Sequence, residues 1–115
     1  MDYWKSLLAE YKFELPHELV AGGDTRFASI QNALLHVKGE EVGVHDGVRP
    51  FVSHDTISRC FNALANSDAV VPCLPVKDSI RKMILNGSAA LDRSDLRVVH
   101  TPQCFNSAAL KSAYE

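Results

Sequence analysis

No stretch of the 115 residues approaches the roughly 20 consecutive apolar residues of a membrane span. The start, Met1-Asp2-Tyr3-Trp4-Lys5, also lacks the basic and apolar regions of a signal peptide. Neither sign of charge is in excess. With 12 basic residues against 14 acidic ones there is no electrostatic footprint for nucleic acid or for an anionic membrane surface. A small phosphate-bearing ligand stays in play, because one pocket needs only a few cations. Cysteine is scarce: Cys60, Cys73 and Cys104 are odd in number, far apart and free of Cys-x-x-Cys pairing. That suggests neither a disulfide framework nor a zinc site, and predicts reduced thiols buried as small hydrophobes. Internal repeats and low-complexity linkers are absent too. What remains is one cytoplasmic domain over residues 1–115, a length at which roughly two thirds of the unfolded surface can be buried.

What is present alternates. Trp4, Leu7, Leu8 and Tyr11 recur at helical spacing, predicting an amphipathic helix that packs on the core and stops at Pro16. Leu19-Val20-Ala21 reads as a short strand running into Gly22-Gly23-Asp24. Phe27, Ile30, Ala33 and Leu34 predict a helix from Arg26 to about His36, closed by Gly39. Val42 to Val44 reads as a buried strand, and Ser53 as the cap of a helix with Ile57, Cys60, Phe61 and Leu64 on its inner face. The run Ala69 to Val76 contains two prolines that remove ladder donors, so this strand bends, lies at an edge or leaves the sheet. Asp78 to Leu85 and Leu91 to Val99 flank Asn86-Gly87, a strong hairpin signal. The implied arm, about residues 77–94, has too little apolar material for its own core and suits a dimer contact. A last helix, capped by Asn106 or Ser107, runs to Glu115. The expected fold is α/β, a three-layer domain with a mostly parallel sheet and a projecting β-hairpin arm.

In such sheets ligands bind beyond the carboxyl ends of the strands. Three loops qualify. Gly22-Gly23-Asp24-Thr25-Arg26 joins a strand to a helix start, where glycines admit close backbone approach and the helix end favours polar or anionic groups. Ser29 lies one turn into that helix. Val44-His45-Asp46-Gly47-Val48-Arg49-Pro50 ends the next strand. Its Asp46 and Arg49 form either an internal ion pair or a site for a hydroxyl together with a phosphate. His45 there reads as a hydrogen-bonded residue before it reads as a base. Thr101, just before Pro102, can present a hydroxyl to the same edge.

Taken together, Ala21-Gly22-Gly23-Asp24-Thr25-Arg26 with Ser29, Val44 to Pro50, Leu74-Pro75-Val76-Lys77-Asp78-Ser79, Asp92-Arg93 and Thr101-Pro102-Gln103-Cys104-Phe105 resemble the 2-C-methyl-D-erythritol 4-phosphate cytidylyltransferase family. The resemblance implies a Rossmann-like nucleotidyltransferase domain that works as a homodimer through its β-arm. It implies transfer of CMP from CTP to methylerythritol phosphate in non-mevalonate isoprenoid synthesis, with Mg2+ carried mainly on the CTP phosphates and no protein residue assigned as a metal ligand. Gly23, Asp24 and Ser29 would contact cytosine and ribose, Arg26 would order the same loop, and Asp46 and Gly47 would lie beside the ribose and reacting phosphates. Asp46, Arg49 and Thr101 would contact methylerythritol phosphate. Ser79 and Arg93 would reach it from the partner's arm; at Ser79 the family usually has threonine.

The family's Gly-rich, Arg- and Lys-containing triphosphate loop has no counterpart before Gly22, and its later Thr-Asp motif and final lysine are missing. The main catalytic cations are therefore not in this chain. The expectation is a central part of a longer enzyme, inactive as a transferase alone because phosphoryl transfer depends on positive charge around the phosphates. Two rivals stay open: a ribitol-5-phosphate cytidylyltransferase, which shares the His-Asp-x-x-Arg-Pro and Thr-Pro-Gln features, and a non-catalytic dimerisation or phosphosugar-binding module.

Overall fold

The computed structural model describes residues 2–115, in two compact units that divide after His36. In the first unit, helix α1 (Asp2–Glu10) closes well before Pro16. Lys12 adopts a left-handed backbone (φ 50°), and the Phe13 amide donates to the Leu8 carbonyl at 3.0 Å, a Schellman closure. The apolar stripe of α1 is not a core face as expected, since none of its residues is buried. Instead the returning chain folds back on it: the Trp4 indole donates to His17 Nε2 at 3.1 Å, and both Trp4 and Phe13 meet the His17 ring edge-on. Leu19-Val20-Ala21 joins no ladder and is not the expected strand. Helix α2 (Arg26–Leu34) is capped by Thr25, whose hydroxyl accepts from the Ala28 amide. It ends ahead of Gly39 because the His36 amide takes the Ala33 carbonyl, tightening the last turn.

The second unit is built on a three-stranded sheet. Strand β1 (Glu41–Val44) and strand β2 (Ala69–Val70) flank β7 (Gln103–Asn106), and both run antiparallel to it. Strands β1 and β2 are therefore parallel to each other, joined through helix α3 (His54–Ala63), as the alternation implied. The sheet is nevertheless not mostly parallel: among the described residues every ladder is antiparallel, because the last strand enters between the two members of the β-α-β unit. Ser53 caps α3 by accepting from the Thr56 amide at 3.1 Å. Cys60 on α3, Cys104 on β7 and Leu110 on helix α4 (Ser107–Ala113) are buried. Gly43 fits closely here, since an added Cβ would lie 3.1 Å from the Phe61 ring and 3.6 Å from Cys104 Sγ. Asn106 caps α4, which ends at Ala113 short of the expected Glu115.

After β2 the prolines take the chain out of the sheet, as anticipated. Strand β3 (Cys73–Pro75) pairs instead with β6 (Arg97–Val99), and the uncovered ribbon leaves Cys73 exposed, unlike the other two thiols. The hairpin is shorter than the sequence suggested. Strands β4 (Arg81–Ile84) and β5 (Gly87–Ala90) pair with Ile84 opposite Gly87, so Leu85-Asn86 form the turn. Gly87 opens the second strand at φ +141°, which only glycine adopts without strain. The Leu91 amide still reaches the Ile80 carbonyl at 2.9 Å, and the chain beyond it leaves the hairpin because β6 belongs to the β3 ribbon. Arg81 clamps the hairpin through Ser88, while Met83, Ile84 and Leu85 stay exposed, the last at 99%.

Candidate functional site

Two clusters of predicted residues form, one in each unit. In the first, Gly23 lies close against α2: an added Cβ would stand 2.5 Å from that of Ala28. Ser29 Oγ accepts from the Gly23 amide at 3.0 Å and donates to the Thr25 carbonyl at 2.9 Å. Ser29 therefore helps to order this loop. Asn32 adds a bond to the Ala21 carbonyl, and Asp24 stands exposed before the Thr25 cap. The cap is Thr25, whose hydroxyl is the one that reaches the Ala28 amide.

The second cluster sits where β1 ends. The Arg49 amide donates to the Asp46 carbonyl, closing a turn through Gly47, around which an added Cβ would meet nothing. Arg49 Nε donates to Asp46 Oδ2 at 3.0 Å. Both side chains are partly exposed, so the pair contributes only about 0–1 kcal/mol. Thr101 comes from the β6–β7 connection and is 7% exposed. Its Oγ1 accepts from the Asp46 amide at 3.2 Å and lies 2.9 Å from His45 Nδ1. His45 Nε2 is 2.9 Å from the Arg49 carbonyl. Arg49 Nη1 lies 3.3 Å from His100 Nδ1. Strand β1 thus delivers Asp46 and Arg49, and the segment entering β7 delivers Thr101, because β1 and β7 are neighbours with Val44 opposite Gln103.

Sequence reasoning missed His100. Its signal was its place directly before Thr101, since the residue ahead of a strand-end hydroxyl shares its loop. A cavity of about 1090 Å³, lined by Arg49, Phe51, Cys60, Val71, His100 and Thr101 among others, opens beside the cluster. Of the remaining predicted residues, Arg93 donates to the Lys77 carbonyl below the hairpin, and Ser79 is exposed nearby in the sequence. Burial, and then the neighbouring Cys60, push the Cys104 thiol up to about 11. Among the described residues no three His, Cys, Asp or Glu side chains are grouped to hold a metal ion.

A β-α-β unit with a polar, arginine-bearing loop at the carboxyl end of its first strand is an α/β arrangement that this chain shares with solved nucleotidyltransferases. Solved structures agree: 2-C-methyl-D-erythritol 4-phosphate cytidylyltransferase from Thermus thermophilus is 37% identical with a TM-score of 0.77, covering 88% of this chain and 52% of its own. The 4-diphosphocytidyl-2C-methyl-D-erythritol synthase of Anaerococcus prevotii is 28% identical with a TM-score of 0.85, covering 98% and 51%. The family model for 2-C-methyl-D-erythritol 4-phosphate cytidylyltransferase (IspD) matches residues 1–115, and the chain belongs to that family. Curated relatives of that name from Phocaeicola vulgatus and Porphyromonas gingivalis are 46% and 48% identical over 98% and 97% of this chain. The chain spans about half the length of the curated relatives it matches, 52% and 51% for these two.

Proposed function

We propose that the protein carrying this chain transfers the cytidylyl group of CTP to 2-C-methyl-D-erythritol 4-phosphate in isoprenoid biosynthesis. The phosphate oxygen of the polyol ester attacks the α-phosphorus of CTP, the new P–O bond forms, the bond to the β-phosphate breaks, and pyrophosphate leaves. The observation that carries the reading is the meeting of Asp46, Arg49 and Thr101 at one strand end in a chain matched throughout by the family model. Arg49 offers a cation whose present ion pair is weak, and Thr101 a hydroxyl fixed at 3.2 Å from the Asp46 amide. In the first unit the loop of Gly23, Asp24, Arg26 and Ser29 is assigned to cytidine recognition; in the second, Asp46 and Gly47 are assigned to the nucleotide's ribose and phosphates, and Mg2+ would be carried by the CTP phosphates.

The reading includes a homodimer in which Ser79 and Arg93 reach the partner's polyol site. Supporting it is a hairpin whose tip, Met83-Ile84-Leu85, is apolar and exposed. The cytoplasm is the compartment implied, since CTP and a phosphorylated polyol do not cross membranes unaided. Among the described residues no helix is long and apolar enough to cross one. The test is pyrophosphate release by the full-length protein from CTP with either methylerythritol phosphate or ribitol 5-phosphate. Turnover with the first alone is expected. Preference for ribitol 5-phosphate, or no turnover with either, overturns the reading.

A further inference from the structure

Two histidines flank the Asp46–Arg49–Thr101 cluster, and their bonds force different protonation behaviour. His100 Nδ1 faces Arg49 Nη1 at 3.3 Å. A guanidinium only donates, so this nitrogen must keep its lone pair, and protonating it would set two N–H groups against each other. His45 differs. Its Nε2 faces the Arg49 carbonyl at 2.9 Å, and a carbonyl only accepts, so Nε2 carries the proton in every state. In the neutral ring Nδ1 is then an acceptor, and the hydroxyl 2.9 Å away, Thr101 Oγ1, must donate to it. The same oxygen also accepts from the Asp46 amide. With its hydrogen given to His45, the free position on Thr101 Oγ1 is a lone pair, which repels a phosphate oxygen. If His45 takes a proton, Nδ1–H donates to Thr101 Oγ1 instead. Both His45 bonds survive, and the threonine hydrogen turns outward as a donor.

We infer that His45 is a positioning residue that sets whether Thr101 accepts or donates, so that a phosphate dianion binds at Thr101 together with one proton taken up by His45. The charged and titratable groups around it come from two segments: Asp46 and Arg49 from its own loop, and His100 from the segment that carries Thr101. Asp46 and Arg49 are already paired, and His100 is held as an acceptor by Arg49. His45 is the one of these groups that gains a proton without losing a bond. The inference rests on the proposed polyol phosphate site and adds the protonation step to it.

The experiment is calorimetric titration of the full-length protein with methylerythritol phosphate between pH 7.5 and 8.5, where the ester is a dianion. Each pH is run in two buffers of different ionisation enthalpy. The wild type should take up protons on binding, and its Kd should rise with pH. His45→Asn, whose amide can donate to Thr101 at any pH, should bind with no uptake and a flat profile. Thr101→Val, which leaves His45 in place, should also lose the uptake. A His45 that merely held the loop would weaken binding equally at all pH when replaced, leaving the uptake intact. Wild-type binding without uptake, or uptake retained in either variant, overturns the inference while leaving the proposed function standing. Failure of the wild type to bind the ester at all overturns the proposed function, and the inference with it.

Discussion

Replacing Thr101 by valine keeps the side-chain volume and removes one oxygen. In the folded protein that oxygen accepts from the Asp46 amide at 3.2 Å and bonds His45 Nδ1 at 2.9 Å, in a residue only 7% exposed. At about 0.5–1.5 kcal/mol net for each neutral hydrogen bond, Thr101→Val should cost about 1–3 kcal/mol of stability, read as a lower urea midpoint with an unchanged slope. The effect on ligand binding is separable. A hydroxyl bonded to a phosphate dianion contributes roughly 1.5–3 kcal/mol, so the Kd for methylerythritol phosphate should rise about 10- to 100-fold. CTP affinity should stay within about threefold, because Thr101 is placed against the polyol ester and not the nucleotide. Thr101→Ser keeps the oxygen and should bind the ester within about threefold of wild type. A valine variant that binds the ester normally, or one that loses CTP and ester alike, would refute the reasoning.

Two further outcomes follow from packing and titration. Gly23→Ala places a Cβ 2.5 Å from that of Ala28, so the loop or α2 must shift; the expected cost is about 1–3 kcal/mol in a urea titration, with weaker CTP binding and unchanged affinity for the ester. Cys104 holds its proton to about 11 in the folded state, against an ordinary value of 9.0 for the unfolded thiol. Its contribution is therefore complete below pH 9 and lost as pH rises from 9 to about 11, at most about 3 kcal/mol. Thermal melts across that range should show the decline, and Cys104→Ala should lack that part of it; a wild-type curve flat to pH 11 would contradict the burial argument.

The parts of the fold set by local chemistry were readable in the sequence. Ser53 and Asn106 announced helix starts, Val42 to Val44 announced a strand, and Pro72 and Pro75 announced the departure from the sheet. What could not be read was pairing at a distance. Val98 and Val99 look like a second hairpin strand, yet Val99 stands opposite Cys73 and not opposite the β4 strand. Nor could the letters show that β7 enters antiparallel between β1 and β2, since strand direction is set by a connection and not by composition. The stripe on α1 misled because the same spacing serves a core contact or a partial cover by residues 13–19; only the His17 ring in place decides. At the site, Asp46, Arg49 and Thr101 were visible as strand-end residues. The histidine bonds that orient them were not, because a donor's direction depends on which carbonyl or guanidinium stands opposite.

The central claim is that Asp46, Arg49 and Thr101 grip a phosphorylated polyol. It is tested most directly by Arg49→Ala in the full-length protein, with KM measured for methylerythritol phosphate and Kd for CTP in the same preparation. Loss of a partly exposed guanidinium–phosphate contact, about 1.5–3 kcal/mol, predicts a KM for the polyol ester raised about 10- to 100-fold. CTP affinity should stay within about threefold. An unchanged KM for the ester, or an equal loss of CTP binding, would contradict the assignment of this strand end.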